Sequence, residues 1–311
     1  MDVRHVLSIA DLGAETVTRL VDDGVAIARG DWKTRKPLAD RVVGIYFKKT
    51  STRTRTAFTV GAMKLGASVI AYGPSDLQIV TGETLQDTAR VLANYLDALV
   101  IRTNEPVEEM RTLADQGRMS IVNAMSDNEH PTQALTDLVT LKEKFGRLED
   151  LHMLYIGEGN NTVTALALAF GMLPRMRLTI VTPEGYGIPQ DIYEQARGLA
   201  AATGSQIEQR HSLEDLPQGV DAVYSTRWLT MGVQKKDADW LDQFRPYTID
   251  EAMMRRVSKP GTVFLHDLPA MRGYEVVDEV LDGAQSIAFR QAYHKMTSAM
   301  AVLCWCIQGG E

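Results

Sequence analysis

A repeated alternation constrains this chain more than any single motif. Short apolar runs rich in valine and isoleucine recur along it: Val42–Phe47, Ser68–Tyr72, Ala98–Ile101, Ser120–Met125, His152–Ile156, Leu178–Val181, Ala222–Tyr224 and Thr262–Leu265. They lack polar alternation, which is how strands buried on both faces read. Stretches of helical period lie between them. In Thr132–Phe145 the residues Ala134, Leu138, Leu141 and Phe145 recur at helical spacing, and Thr84–Leu96 opens on a capping pair, Thr84 and Asp87. Strand then helix, repeated, predicts parallel sheets joined by right-handed crossovers. The expected class is α/β, and 311 residues suit two domains. The charged segment Lys142–Leu151, which carries Gly146, follows four of the runs and precedes four more. It is the expected hinge between a first domain over 1–141 and a second that begins at 142, and the long helical stretch Ala288–Ile307 could pack back on either.

Each run leads into a polar cluster. These are Thr50–Thr56, Gly73–Gln78, Arg102–Asn104 and Ser126–Gln133 in the first half, then Gly157–Asn161, Thr182–Gly187, Ser225–Trp228 and His266–Gly273. Loops are polar in general, but not usually this rich in Arg, His, Gln and Asn. In parallel sheets, ligands bind outside the carboxyl ends of the strands. Two such doubly wound domains are therefore expected to hold an active site in the cleft between them.

Composition removes several classes. A net charge of −7 disfavours a nucleic-acid partner gripped by a broad basic face. With 45% apolar residues the chain is not disordered. No apolar run approaches the ~20 residues of a membrane span, and Met1–His5 opens no signal peptide. Cys304 and Cys306 read as reduced thiols. The expectation is a cytoplasmic protein with no membrane partner.

The strongest local signal is Phe47-Lys48-Lys49-Thr50-Ser51-Thr52-Arg53-Thr54-Arg55-Thr56. It follows a strand and opens a helix. Arg53 and Arg55 there oppose the helix dipole, each by a few tenths of a kcal/mol. The arrangement makes sense if a phosphate takes hydroxyl donors from Ser51, Thr52 and Thr54 and a guanidinium fork from Arg53. Arg55 points elsewhere and is expected to form a structural ion pair. The nucleotide P-loop pattern is absent, so a small phosphorylated compound is expected rather than ATP. In a second cluster, His130 stands before Pro131, which can start the next helix. His130 and Gln133 can both donate to a substrate carbonyl.

Together these clusters resemble the aspartate/ornithine carbamoyltransferase family. Ser51-Thr52-Arg53-Thr54-Arg55 is similar to its Ser-x-Arg-Thr-Arg motif, and His130-Pro131-Thr132-Gln133 to its His-Pro-x-Gln. Gly82-Glu83-Thr84 with Asp87–Leu92, Gly157-Glu158-Gly159-Asn160-Asn161, Trp228-Leu229-Thr230-Met231-Gly232 and His266-Asp267-Leu268-Pro269 also resemble family motifs, and Arg102 stands at a family arginine. The resemblance implies a carbamoyl-phosphate domain over 1–141, completed by a C-terminal helix over 286–311, and an amine-substrate domain over 142–285. It implies a homotrimer with shared active sites, into which Gln78 reaches from a neighbour, and no metal or organic cofactor.

The implied reaction is attack of a neutral amine on carbamoyl phosphate. Ser51, Thr52, Arg53, Thr54, Arg102 and Lys295 would hold the phosphate. Thr54, Arg102 and His130 would donate to the carbonyl oxygen, while Gln133 and the backbone near Leu268 fix the carbamoyl NH2. Lys295 stands where most relatives have an arginine, and Thr81 and Gly82 lack a lysine that some relatives carry. The amine would meet Asn161, Thr226, Arg227, Thr230, Met231 and Asp267. Three of these positions leave the amine open. Thr226 replaces an aspartate of the ornithine enzymes, Arg227 resembles an arginine of the aspartate enzymes, and Asp267 replaces a cysteine. Asp267 could take the amine's proton, or pair structurally with Arg272 or Arg227. Ornithine is the default acceptor. A shorter diamino acid, aspartate, a simple diamine, or a catalytically silent binding protein are the alternatives. Gly157-Glu158-Gly159 also suggests a dinucleotide loop, but Thr162 stands where its third glycine would be.

Overall fold

The structure is a computed structural model and describes residues 3–30, 36–229, 235 and 239–308. The chain divides into two compact units, Met1–Lys144 with Tyr293–Glu311, and Phe145–Ala292.

The first unit contains α1 (Ile9–Arg29), β1 (Val42–Phe47), α2 (Arg53–Leu65), β2 (Ser68–Tyr72), α3 (Leu85–Leu92), β3 (Ala98–Arg102), α4 (Val107–Ala114), β4 (Ser120–Asn123) and most of α5 (Pro131–Phe145). Its sheet is parallel throughout, in the order β2-β1-β3-β4. From β1 the chain steps one way to β2 and the other way to β3. The crevice at this reversal, outside the carboxyl ends of β1 and β3, is where such sheets take ligands. Ile45, Leu99, Val100, Ile121 and Val122 are fully buried, each stabilising the fold by about 1.5–3 kcal/mol. Asp87 N–H donates to Thr84 Oγ1 at 3.1 Å, forming the cap expected at α3.

The second unit contains β5 (His152–Ile156), α6 (Asn161–Met172), β6 (Arg177–Val181), α7 (Gln190–Thr203), β7 (Gln206–Arg210), β8 (Val220–Ser225), α8 (Trp240–Phe244), α9 (Glu251–Val257), β9 (Ser258–His266), α10 (Asp278–Leu281) and the start of α11 (Ala288–Gln308), whose remainder belongs to the first unit. Its parallel sheet has the order β7-β6-β5-β8-β9, with the reversal between β5 and β8. Every residue of α6 is buried, as a helix apolar on all sides requires.

Beyond shifts at other element ends, three differences from expectation have a plain physical reason. β7 was not among the eight apolar runs. It is an edge strand that buries only Ile207, so its sequence is polar. β4 ends at Asn123, not Met125, because the Asn123 carboxamide turns back to accept Met125 N–H at 2.9 Å. Helix α1 lies outside the alternation, and buries Val17, Leu20 and Val21 behind a Ser8 cap. Both cysteines are free thiols, and burial raises both pKa values, that of Cys304 to about 12. Among the described residues no helix is long and apolar enough to cross a membrane.

Candidate functional site

In the first unit, β1 runs into Lys48–Thr52 at the sheet reversal, and β3 ends on Arg102. Lys48 N–H donates to the Arg102 carbonyl at 2.9 Å, which stitches the two strand ends together. Helix α2 then begins at Arg53 with no side-chain cap on Thr52 and no acidic residue in its first turn. A helix start that opens on cations and no acidic residue is a usual setting for an anion. Ser51 and Arg53 are half-buried, Thr52 is exposed and Thr54 is buried. Arg55 is exposed and forms no ion pair among the described residues, contrary to expectation. It lies on the solvent side of α2, away from the buried face of Thr54, Ala57 and Phe58.

Arg102, His130 and Lys295 are all buried polar residues. Burial, then the charges of Arg102 and Lys295, drive the His130 pKa well below the ordinary histidine value, so the ring is neutral. Its Nδ1 lies 3.3 Å from Thr132 Oγ1. Gln133 is held at both ends: Nε2 donates to Asp137 Oδ1 at 2.7 Å, and Oε1 accepts from Lys295 Nζ. Gln78 stands apart. It is exposed, its Oε1 accepts from Thr81 Oγ1 at 2.7 Å, and no hydrogen bond among the described residues joins it to His130 or Arg102.

Glu129 was not singled out from the sequence. Its buried carboxylate accepts Ile9 N–H at 2.6 Å, tying the residue before His130 to the start of α1. Burial raises its pKa to about 7 against those hydrogen bonds. An acidic residue beside His-Pro was the available signal.

In the second unit, the reversal brings together the Gly157–Asn161 loop after β5 and Thr226–Trp228 after β8. Asn160 caps α6 by accepting from Thr162 N–H at 3.1 Å, and its Nδ2 donates to Thr226 Oγ1 at 2.8 Å. Tyr155 OH donates to the Glu158 carbonyl and lies 2.9 Å from Thr226 Oγ1. Thr226 is thus buried within a network that the sequence did not show. Asn161 is buried at the first position of α6. Arg227 is half-buried, and its Nε has no hydrogen-bond partner among the described residues.

Asp267 follows β9. Its Oδ2 accepts from Thr162 Oγ1 at 3.1 Å, and Oδ1 lies 3.6 Å from His266 Nδ1. The alternative pairing with Arg272 is overturned, because Arg272 is engaged by Asp278 and Asp282, both at 2.6 Å. No ion pair joins Asp267 to Arg227 either, among the described residues. His266 Nδ1 accepts Leu268 N–H at 2.8 Å, so the ring proton is on Nε2, which donates to Glu275 Oε1 at 3.2 Å. Leu268, in the left-handed region at φ 54°, is therefore held by a buried histidine and glutamate. Thr230 and Met231 lie outside the described residues. Among the described residues no group of three or more His, Cys, Asp or Glu is placed to hold a metal ion.

Two family models match the chain. Residues 4–143 match the carbamoyl-P binding domain of aspartate/ornithine carbamoyltransferase, and residues 149–306 match its Asp/Orn binding domain. The ornithine carbamoyltransferase of Synechocystis is 37% identical over 300 residues, covering 96% of this chain and 95% of that protein. That of Methanothermobacter thermautotrophicus is 35% identical over 303 residues, covering 97% and 98%. Among solved structures, ornithine carbamoyltransferase from Pyrococcus furiosus superposes with a TM-score of 0.91 at 30% identity, covering 100% of this chain and 99% of that one. The anabolic enzyme from Campylobacter jejuni gives 0.90 at 29% identity, covering 99% and 100%.

Proposed function

The chain belongs to the aspartate/ornithine carbamoyltransferase family and is a carbamoyltransferase; from that premise we propose that it moves the carbamoyl group of carbamoyl phosphate to the side-chain amine of ornithine or a related amino acid, releasing phosphate. The observation that carries the donor half is the cation-bearing start of α2, with no acidic residue in its first turn, at the β1/β3 reversal, with Arg102 at the adjoining strand end. Ser51, Thr52, Arg53 and Thr54 receive the phosphate there. Arg102, Thr54 and the neutral His130 donate to the carbonyl oxygen as it gains charge. Each such donor lowers the barrier by about 3 kcal/mol. A neutral imidazole serves as a donor here without adding a further charge beside Arg102 and Lys295. Lys295 supplies positive charge and holds Gln133, which faces the carbamoyl NH2.

The amine nitrogen attacks the carbonyl carbon, giving a tetrahedral oxyanion. That intermediate collapses by breaking the bond from carbon to the phosphate oxygen, and the amine gives up its proton. Asp267 is the proposed acceptor, a partly exposed carboxylate bonded to a neutral threonine rather than to a cation. Asn161, Thr226, Thr230 and Met231 complete the amine site. Asp267 favours a substrate with a cationic group.

Arg227 supports a second reading, in which the acceptor carries an extra carboxylate, as aspartate does. Its buried Nε, with no hydrogen-bond partner among the described residues, is the observation in favour. Exposed apolar residues Met63, Ile70, Val80, Val91 and Tyr95, all in the first unit, support assembly of several copies, and Ile70 lies on its edge strand β2. A trimer is the form proposed.

Phosphate release from carbamoyl phosphate, measured with ornithine, shorter diamino acids, putrescine and aspartate, tests the proposal. Release with a diamino acid and one equivalent of ureido product is expected. Silence with every amine, or preference for aspartate, overturns the acceptor assigned here.

A further inference from the structure

Three aromatic rings and one carboxylate of the second unit converge on the ammonium of Lys235. Its Nζ lies 4.8 Å from the ring centre of Tyr186, 5.0 Å from that of Phe244 and 5.7 Å from that of Trp240. It also donates to Glu158 Oε1. The Lys235 side chain is only 3% exposed. The rings brace one another, with Tyr186 and Phe244 in an edge contact at 4.8 Å and Trp240 and Phe244 at 5.8 Å. Phe244 is itself part of the unit's core.

Burying an ammonium forfeits most of its hydration. Cation–π contacts return part of that cost when desolvated, and the carboxylate must supply the rest. A methionine or leucine would fill the same space without that cost, so the pair is hard to explain as stabilisation. Buried ion pairs are better suited to holding one arrangement among several.

What this pair holds is the Gly157–Asn161 loop. Glu158 sits in it, and Gly159 N–H donates to the Tyr186 carbonyl at 2.8 Å. A Cβ on Gly159 would come within 2.2 Å of the Gly187 carbonyl carbon, so the loop is pressed directly on the wall of the cage. Two residues after Glu158, Asn160 caps α6 and binds Thr226. Lys235 itself belongs to the short stretch of sequence that carries Thr230 and Met231.

We propose that Lys235 is a positioning residue for the amine substrate: its caged ion pair with Glu158 fixes the Gly157–Asn161 loop, and through Asn160 the Thr226 end of β8, in the arrangement that receives the amine. The inference rests on the assignment of Asn161 and Thr226 to the amine site.

The test uses Lys235→Met, Lys235→Arg and, as a separate check of the amine site, Asn161→Ala, assayed with carbamoyl phosphate and L-ornithine. Lys235→Met raises the KM for ornithine at least tenfold and leaves that for carbamoyl phosphate within twofold. Lys235→Arg, which keeps the charge and stacks on aromatic rings, stays within threefold of wild type. An unchanged ornithine KM in Lys235→Met beside a raised one in Asn161→Ala overturns the role of Lys235 alone. No change in either overturns the amine-site assignment as well. Acetic anhydride labelling read by mass spectrometry needs no substrate. Lys235 should label at least tenfold more slowly than the exposed Lys49, and Glu158→Gln should remove the protection. Equal labelling of Lys235 and Lys49 in the wild type refutes the cage.

Discussion

Replacing Glu129 by glutamine should change how stability depends on pH, and by an amount the structure sets. The carboxyl is buried, and its pKa lies at about 7 instead of the ordinary 4.5. A raised carboxyl pKa means that the folded chain binds this proton more tightly than the unfolded one. Its contribution is present in full below about pH 4.5 and is lost as pH rises through 7. The difference of ~2.5 units, at 1.36 kcal/mol each, amounts to about 3 kcal/mol. Glutamine keeps an acceptor for Ile9 N–H but has no proton to lose. Urea unfolding of both proteins between pH 5 and pH 8.5 therefore isolates the effect. The wild type should lose about 2.5 kcal/mol relative to Glu129→Gln across that range, the rest of the change lying below pH 5, so that the variant gains on the wild type in alkali. The same titration loosens or tightens the segment that presents His130, so activity in the wild type should carry a matching inflection. A stability difference between the two proteins that stays constant with pH would refute the reasoning.

The remaining predictions concern the ligands. Arg53→Ala should raise the KM for carbamoyl phosphate at least tenfold and lower kcat, and steady-state kinetics within twofold of wild type would dislodge the phosphate assignment. His130→Asn should reduce kcat about a hundredfold, the ~3 kcal/mol of one lost oxyanion donor. Because burial and two neighbouring cations hold the His130 pKa far below its ordinary 6.5, the wild-type rate should show no loss from imidazole protonation down to pH 6; a pH–rate profile with a histidine limb that vanishes in the variant would contradict this. Thr226→Asp combined with Asp267→Cys should shift preference toward ornithine in competition assays, and an unmoved preference would show that these positions do not read the amine.

Much of the architecture was legible because strands buried on both faces leave a strong apolar trace. Val42–Phe47 and His152–Ile156 are seen as strands without any knowledge of their partners. The polar clusters after them marked the candidate binding edges, because a parallel sheet sends every loop that follows a strand to the same end. β7 left no such trace, since an edge strand with one buried residue reads as loop. On the donor side of the candidate site only Ser51 to Thr54, on one turn, were local, while Arg102, His130 and Lys295 come together through the fold. The amine half was not local. Thr226 is held by Tyr155 and Asn160, some 66 to 71 positions away, and Glu129 caps a helix 120 positions away. Such contacts are made by the topology, and no local pattern announces them. Arg55 shows the converse error, an expected ion pair with no partner among the described residues.

A crystal soaked with phosphonoacetamide tests the central claim most directly. The account predicts density for the phosphonate at the first turn of α2, against Ser51, Thr52, Arg53 and Thr54, with the carboxamide oxygen facing Arg102 and His130. A compound bound elsewhere, or a turn left vacant at saturating concentration, would contradict it.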